Sequence, residues 1–326
     1  MRAVRLHQFG PAENLVLDVV PDPEPGAGQV RIAVRAAGVH VLDTTIRSGA
    51  AGGPFPLPDL PTIPGREVAG LVDRVGEGVD EAWVGRRVVA HLGMASGGYA
   101  ELAVAAETAL QEIPSGMDDE LAVAMIGTGR TAFGILEAAG ITADDVVLVT
   151  AAAGGLGSLL VQLARKEGAT VVGVAGGPPK VEVARCLGAH IGVDYEREGW
   201  TDEVRRALNG REVTLVLLAV GGDLGAGALS LLADGGRAVV YGWSGGDPVA
   251  LTPEQEARGI TTIEDLGPRI MGRPGGMRDL ETMALAAAGW GDVHPLVGQV
   301  YPLADAALAH EAIETRATTG KTVLRP

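Results

Sequence analysis

Apolar residues in this chain follow two rhythms, and the change comes near Met117. Before it, short β-branched or apolar runs at 3–6, 15–20, 30–37, 69–75, 87–90 and 99–104 alternate with clusters such as PDPEPGAG and GGPFPLPDLPTIPG. Runs of that length, punctuated by Pro and Gly, predict strands joined by turns and hence a β-rich domain. After Met117, 118–125 and 131–139 have helical composition, and DDVVLVTAAAGGLGSLLVQLARKEGATVVGVAG reads strand, glycine turn, helix, strand. Helices at 179–187 and 201–208 and strands at 191–193, 214–219 and 237–241 continue the alternation. Such alternation predicts a parallel sheet with crossover helices. From about Ile260 the pattern fades, and 297–301, a helix at 303–315 and a strand at 321–324 are free to return to the first domain. There is no internal repeat and no low-complexity linker.

A length of 326 residues suits two domains rather than one core. With 41 acidic against 26 basic residues the net charge is −15, which argues against nucleic acid as a partner. An anionic cofactor would need local positive groups, chiefly backbone N–H donors and a few Lys or Arg. The single cysteine, Cys186, excludes an internal disulfide and any multi-thiolate metal cluster. MRAVRLHQFG lacks the apolar run of a signal peptide, and the most apolar stretch, 146–164, is broken by Gly154, Gly155 and Gly157. A soluble, cytoplasmic protein is therefore expected.

The sharpest chemical signal is the strand 146–150 running into AAAGGLG (151–157) and a helix from Ser158. A strand that turns abruptly into a helix offers the helix N-terminus and unbonded N–H groups to a pyrophosphate. Ala153, Gly154, Gly155, Leu156 and Gly157 are the candidate phosphate-binding positions, although Ala152 replaces the usual first glycine. An NAD site usually carries an acid about 20 residues beyond the turn, for the ribose 2′-hydroxyl. Here the segment is Val174-Ala175-Gly176-Gly177-Pro178-Pro179-Lys180, with no acid and with Lys180 available to a 2′-phosphate. NADPH is the expected cofactor.

With these residues in hand, the chain resembles the zinc-independent quinone oxidoreductases (zeta-crystallin-like) of the medium-chain dehydrogenase/reductase superfamily. The matching stretches are AAGVHVLDTTIRSG, PGREVAGLVDRVGEGV, GGYAEL, AAAGGLG and YPLADAALAHEAIETRATTGKTVL. The resemblance implies an α/β protein: a GroES-like β-rich catalytic domain at 1–120, a Rossmann doubly wound parallel sheet at 121–260 binding NADPH, and a completing catalytic segment at 261–326. It implies an active site in the interdomain cleft, and a homodimer formed through the outer edge strand of the nucleotide sheet near Ile260–Ile263, since edge strands need a cover.

The resemblance also assigns residues. His40 stands where relatives often have Asn, Asp43 matches a recurrent Asp on a helix, and Thr45 replaces a Tyr; these three are the catalytic candidates. Thr131, Gly176, Lys180, Tyr195, Val220, Tyr241, Gly242 and Lys321 join the glycine turn as cofactor candidates, while Leu218 replaces the Asp of a D-x-V-G pattern. Zinc-dependent relatives hold their metal at positions matching His40, Arg66 and roughly 126–127. Arg66 cannot act as a ligand and His40 alone cannot make a site, so no metal is expected. The implied reaction is hydride addition to a quinone or an α,β-unsaturated carbonyl, where one or two aimed donors suffice. Phe55, Trp243 or Tyr241 would supply any aromatic platform. Two alternatives share these features. One is an enoyl-thioester reductase, which needs Arg269, Arg273 and Arg278 to converge, and the other is a non-catalytic NADPH-binding protein.

Overall fold

The computed structural model describes residues 1–50, 56–242 and 244–326. It divides into two compact units, Met1–Thr128 with Glu281–Pro326, and Gly129–Leu280.

In the first unit, seven strands form one sheet among the described residues. Its path runs Val297–Pro302, Lys321–Arg325, Gln29–Val39, Glu67–Val75, Arg87–His91 and Leu110–Glu112, and Leu102–Ala106 pairs on Gln29–Val39 off that path. The strand Gln29–Val39 is the hub, antiparallel to Glu67–Val75, Leu102–Ala106 and Lys321–Arg325. Arg2–Leu6 and Leu15–Val19 form a separate antiparallel pair, bridged to the rest at Ala3↔Ala100 and Leu6↔Thr62. Val30, Ile32, Val68, Val72, Val88 and Leu324 pack one core from these strands.

In the second unit, six parallel strands lie, among the described residues, in the order Ile191–Asp194, Thr170–Ala175, Val146–Val149, Val213–Leu218, Leu232–Val240, Thr261–Ile263. The four residues of Val146–Val149 are all buried, and Thr170–Ala175 is buried after its first residue. Burial of successive residues means both faces are covered, which is why these strands read as unbroken apolar runs. Helices Gly155–Lys166, Pro178–Cys186, Trp200–Leu208 and Gly222–Leu229 make the crossovers. Strand order reverses between Val146–Val149 and Val213–Leu218, the switch point at which open α/β sheets bind ligands.

The domain boundaries fall at 128/129 and 280/281 rather than at 120/121 and 260/261. The helix Asp119–Ala124 packs on strands Gln29–Val39, Glu67–Val75 and Arg87–His91, so it belongs to the first unit. Beyond Ile260, Thr261–Ile263 adds a sixth strand to the parallel sheet, and the helix Leu266–Gly272 packs on Arg130–Ala139. The two helices expected at 118–125 and 131–139 form one helical stretch, Asp119–Ala139, joined by a π-turn at Met125–Gly129. Its length and apolarity would let it cross a membrane, but its most apolar window is 67% buried inside the protein, as a core helix is. The strand expected at 99–104 starts at Leu102, because Tyr99 and Ala100 pair elsewhere, Val4 N–H donating to Tyr99 O and Ala100 bridging Ala3.

Candidate functional site

In the parallel-sheet unit the candidate cofactor residues gather at the carboxyl ends of the strands. The turn after Val146–Val149 begins with Ala151 at φ 49°, and Gly154 N–H donates to Ala151 O at 2.8 Å. The helix Gly155–Lys166 has no side-chain cap, so the N–H groups of Gly155, Leu156 and Gly157 lie in its uncapped first turn. A Cβ on Gly157 would stand 2.1 Å from Ala151 O, so only glycine allows the helix to start this close to the turn. Thr150 is fully buried and closes the switch point: its Oγ1 accepts from Ala219 N–H at 2.8 Å and donates to Leu217 O at 3.1 Å.

Gly176 follows strand Thr170–Ala175, Tyr195 follows Ile191–Asp194, Val220 follows Val213–Leu218, and Tyr241 and Gly242 follow Leu232–Val240. Lys180 lies in the first turn of Pro178–Cys186 and Thr131 at the start of Arg130–Ala139. Ala153 is buried, and the Tyr241 hydroxyl is buried without a hydrogen-bond partner, burial raising its pKa far above the ordinary phenol. Phe55 and Trp243, the other aromatic candidates, lie outside the described residues. The adenosine end departs from the sequence argument. No acid ends the strand Thr170–Ala175, yet Asp194 and Glu196 arrive there from the turn after the neighbouring strand. Asp194 Oδ1 accepts from Gly177 N–H at 2.9 Å, and a Cβ on Gly176 would be 2.7 Å from Glu196 Oε1.

In the first unit a second cluster forms around the helix Val41–Ser48. His40 caps its start, and its ring is half-exposed. Nε2 of His40 lies 2.7 Å from Glu67 Oε2 and 2.9 Å from Lys321 Nζ. Lys321 is buried, 2.6 Å from the same Glu67 oxygen and 3.3 Å from Thr128 Oγ1. A carboxylate only accepts and an ammonium only donates, so which of the two His40 Nε2 bonds depends on the tautomer of the ring. Burial pushes the Glu67 carboxyl up, but the charges of His40 and Lys321 outweigh it and hold Glu67 well below the usual carboxylate range.

This geometry bears on three of the candidate residues. The three ammonium hydrogens of Lys321 face Glu67, His40 and Thr128, so its charge serves the His40 cluster and none is left for a nucleotide. Thr45 Oγ1 donates back to Val41 O at 3.3 Å, which uses its proton inside the helix. Asp43 is buried, and its Oδ2 accepts from His40 N–H at 2.9 Å and from the Tyr99 hydroxyl at 3.1 Å. Because Tyr99 donates to Asp43, it must accept from His310 Nε2–H, 3.1 Å away. Burial lowers the pKa of His310 to about 4, so this ring is neutral near pH 7, with Nδ1 buried and unbonded. Glu67, Tyr99, Thr128 and His310 were missed as site residues. Glu67 had a signal, as an acid inside an apolar strand, whereas the other three acquire their roles only through folding. Beside Asp43 a cavity of about 120 Å³ is lined largely by Ile46, Pro56, Leu57, Arg66 and Met94.

Family models match at residues 26–115 (alcohol dehydrogenase GroES-like domain) and 155–272 (zinc-binding dehydrogenase). The quinone oxidoreductase of Sus scrofa is 32% identical, over 99% of this chain and 97% of its own. The chain belongs to the quinone oxidoreductase family of the medium-chain dehydrogenases/reductases. A 2-haloacrylate reductase of a Burkholderia species is also 32% identical, covering 99% and 98% of the two chains. Among solved structures, Escherichia coli quinone oxidoreductase complexed with NADPH superposes with a TM-score of 0.89 at 28% identity and full coverage of both chains. The second family model carries zinc in its description, and the residues here do not fit that metal. Arg66 occupies a ligand position, a Cβ at Gly127 would be 1.9 Å from Glu67 Oε1, and the Lys321 ammonium already sits between Glu67 and His40. Among the described residues no three His, Cys, Asp or Glu side chains are placed to hold an ion.

Proposed function

We propose that this member of the quinone oxidoreductase family is an NADPH-dependent reductase of quinones and of the carbon–carbon double bond of conjugated carbonyl compounds, working without a metal. The observation that carries the reading is the His40–Glu67–Lys321 cluster, a half-exposed imidazole backed by a buried ion pair. When bound, NADPH supplies the hydride. The N–H groups of Gly155–Gly157 take the pyrophosphate, and Lys180 and Tyr195 take the 2′-phosphate end. As hydride reaches the β-carbon, negative charge develops on the carbonyl oxygen, and the half-exposed His40 ring is the donor that meets it. Lys321 and Glu67 hold the ring in place through Nε2. Asp43, Tyr99 and His310 hold the start of the helix that carries it, so Asp43 positions rather than reacts. Water supplies the last proton.

The test is NADPH consumption with a panel of quinones, enones, enoyl thioesters and simple alcohols. Quinones or enones should be reduced, and alcohols should not be oxidised, because no metal is there to lower an alcohol's pKa. Oxidation of ethanol-like alcohols with no reduction of the panel would refute the reading. Arg269 and Arg273, expected to converge on a thioester carrier, are engaged with Asp265 and Glu137, so the enoyl-thioester alternative has no supporting observation. Elemental analysis of the active protein should find no stoichiometric zinc. We place the protein in the cytoplasm as a homodimer, joined through Thr261–Ile263, the outer edge of the parallel sheet; light scattering at micromolar concentration checks the assembly.

A further inference from the structure

Around Gly176 the charges oppose one another. Lys180 brings one positive charge on the helix after the strand. Asp194 and Glu196 bring two carboxylates from the turn after Ile191–Asp194. Asp194 Oδ1 accepts from both Gly177 N–H (2.9 Å) and Glu196 N–H (3.0 Å), which pins that turn against the strand end. Pinned so, the Glu196 carboxylate and the Tyr195 hydroxyl lie over the Gly176 backbone, 2.7 and 2.8 Å from where a Cβ would be. A side chain at 176 would have to displace the Glu196 carboxylate and the Tyr195 hydroxyl, so glycine leaves room for this arrangement. Asp194 spends Oδ1 on backbone donors, whereas Glu196 is exposed beside the end of strand Thr170–Ala175.

We infer that Glu196 is a specificity-determining residue that narrows this chain's preference for NADPH: its carboxylate accepts from the ribose 2′-hydroxyl of NADH and repels the 2′-phosphate of NADPH that Lys180 attracts. The role usually played by an acid at the end of the second strand is transferred to the following turn. Two like charges meeting at an exposed site lose roughly fivefold in affinity, and the phosphate's charge of nearly two makes the effect larger. The inference rests on the cofactor reading above.

The experiment measures dissociation constants by calorimetry for NADPH, NADH, 2′,5′-ADP and 5′-ADP, with the wild-type chain and with Glu196→Gln and Glu196→Ser. These probes report binding without turnover, and the substitutions are at an exposed position that leaves the fold intact. In the wild type NADPH should bind tighter than NADH by less than about tenfold. Each variant should raise the NADPH-to-NADH preference by about fivefold or more, with NADPH and 2′,5′-ADP tightened and NADH weakened. An unchanged preference, or weaker NADPH binding in both variants, overturns the inference and makes Glu196 a support for Lys180 or Tyr195. If neither NADPH nor 2′,5′-ADP binds the wild type, the cofactor reading falls, and the inference with it.

Discussion

The two units build their sites by opposite means. In the parallel-sheet unit the candidate site is mostly backbone: N–H groups of one turn, glycines admitted by close approach, and the ends of strands laid side by side. In the first unit it is side chains, and its members lie far apart in sequence, with His40, Glu67, Tyr99, His310 and Lys321 meeting within two short chains of contacts. Backbone sites tolerate substitution wherever geometry is kept. A buried polar cluster does not, because each member removed leaves another charged or polar group without a partner in low dielectric.

Glu67→Ala tests that difference most severely. It abandons the Lys321 ammonium in the interior, and breaking a buried pair by removing one partner costs about 3–5 kcal/mol. Denaturant unfolding should show that loss, whereas Lys180→Ala in the other unit should leave stability near wild type. His40→Ala comes next: loss of one oxyanion donor costs about 2.7–4 kcal/mol in the barrier. The turnover rate should fall while the dissociation constant of NADPH hardly changes. Equal losses in both would break the separation of roles.

Acid sharpens the comparison. His310 has a folded pKa lowered from 6.5 to about 4, so it stabilises the native state fully above pH 6.5 and loses that contribution as pH falls towards 4. The loss is about 3 kcal/mol, and His310→Gln should flatten the stability curve in that window. In the second unit, burial raises the Asp145 carboxyl but Arg237 and Thr214 outweigh it and hold it well below the usual range. Its contribution therefore persists until pH drops below about 4. His190 shifts in the same direction as His310 but is exposed and contributes less. Smallest of the four is Lys180→Ala, expected to weaken NADPH by about 1.5–3 kcal/mol and NADH hardly at all.

What could be read from sequence divides along the same line. The strand, turn and helix around AAAGGLG are local, so period and glycine spacing locate them. Thr261–Ile263 is three residues long and half-exposed, too short to carry a period, so only the resemblance makes it legible as the sheet's edge strand, and the expected boundary at 260/261 falls too early. Glu196 escaped because the acid was sought at the end of its own strand. The sheet's parallel register, with Asp194 beside Ala175, is what brings the next turn over it. Lys321 was legible as a charge near the site but not as Glu67's partner, since that needs the pairing of Thr322 with Val39 across nearly the whole chain.

That pairing also sets an order of assembly. The second unit is one continuous segment, 129–280, whose contacts are available once it has been synthesised. The first unit keeps the Ala37–Val39 end of its hub strand open along one edge until Lys321–Arg325 arrives to lie between it and Val297–Pro302. During synthesis at roughly 5–20 residues per second, the oldest part of the chain therefore waits for the newest. It waits with an unpaired edge, and with Glu67 lacking the ammonium that makes its burial tolerable. Closure of the first unit is a long-range, late event, and the same residue that positions His40 is the one that ends the wait.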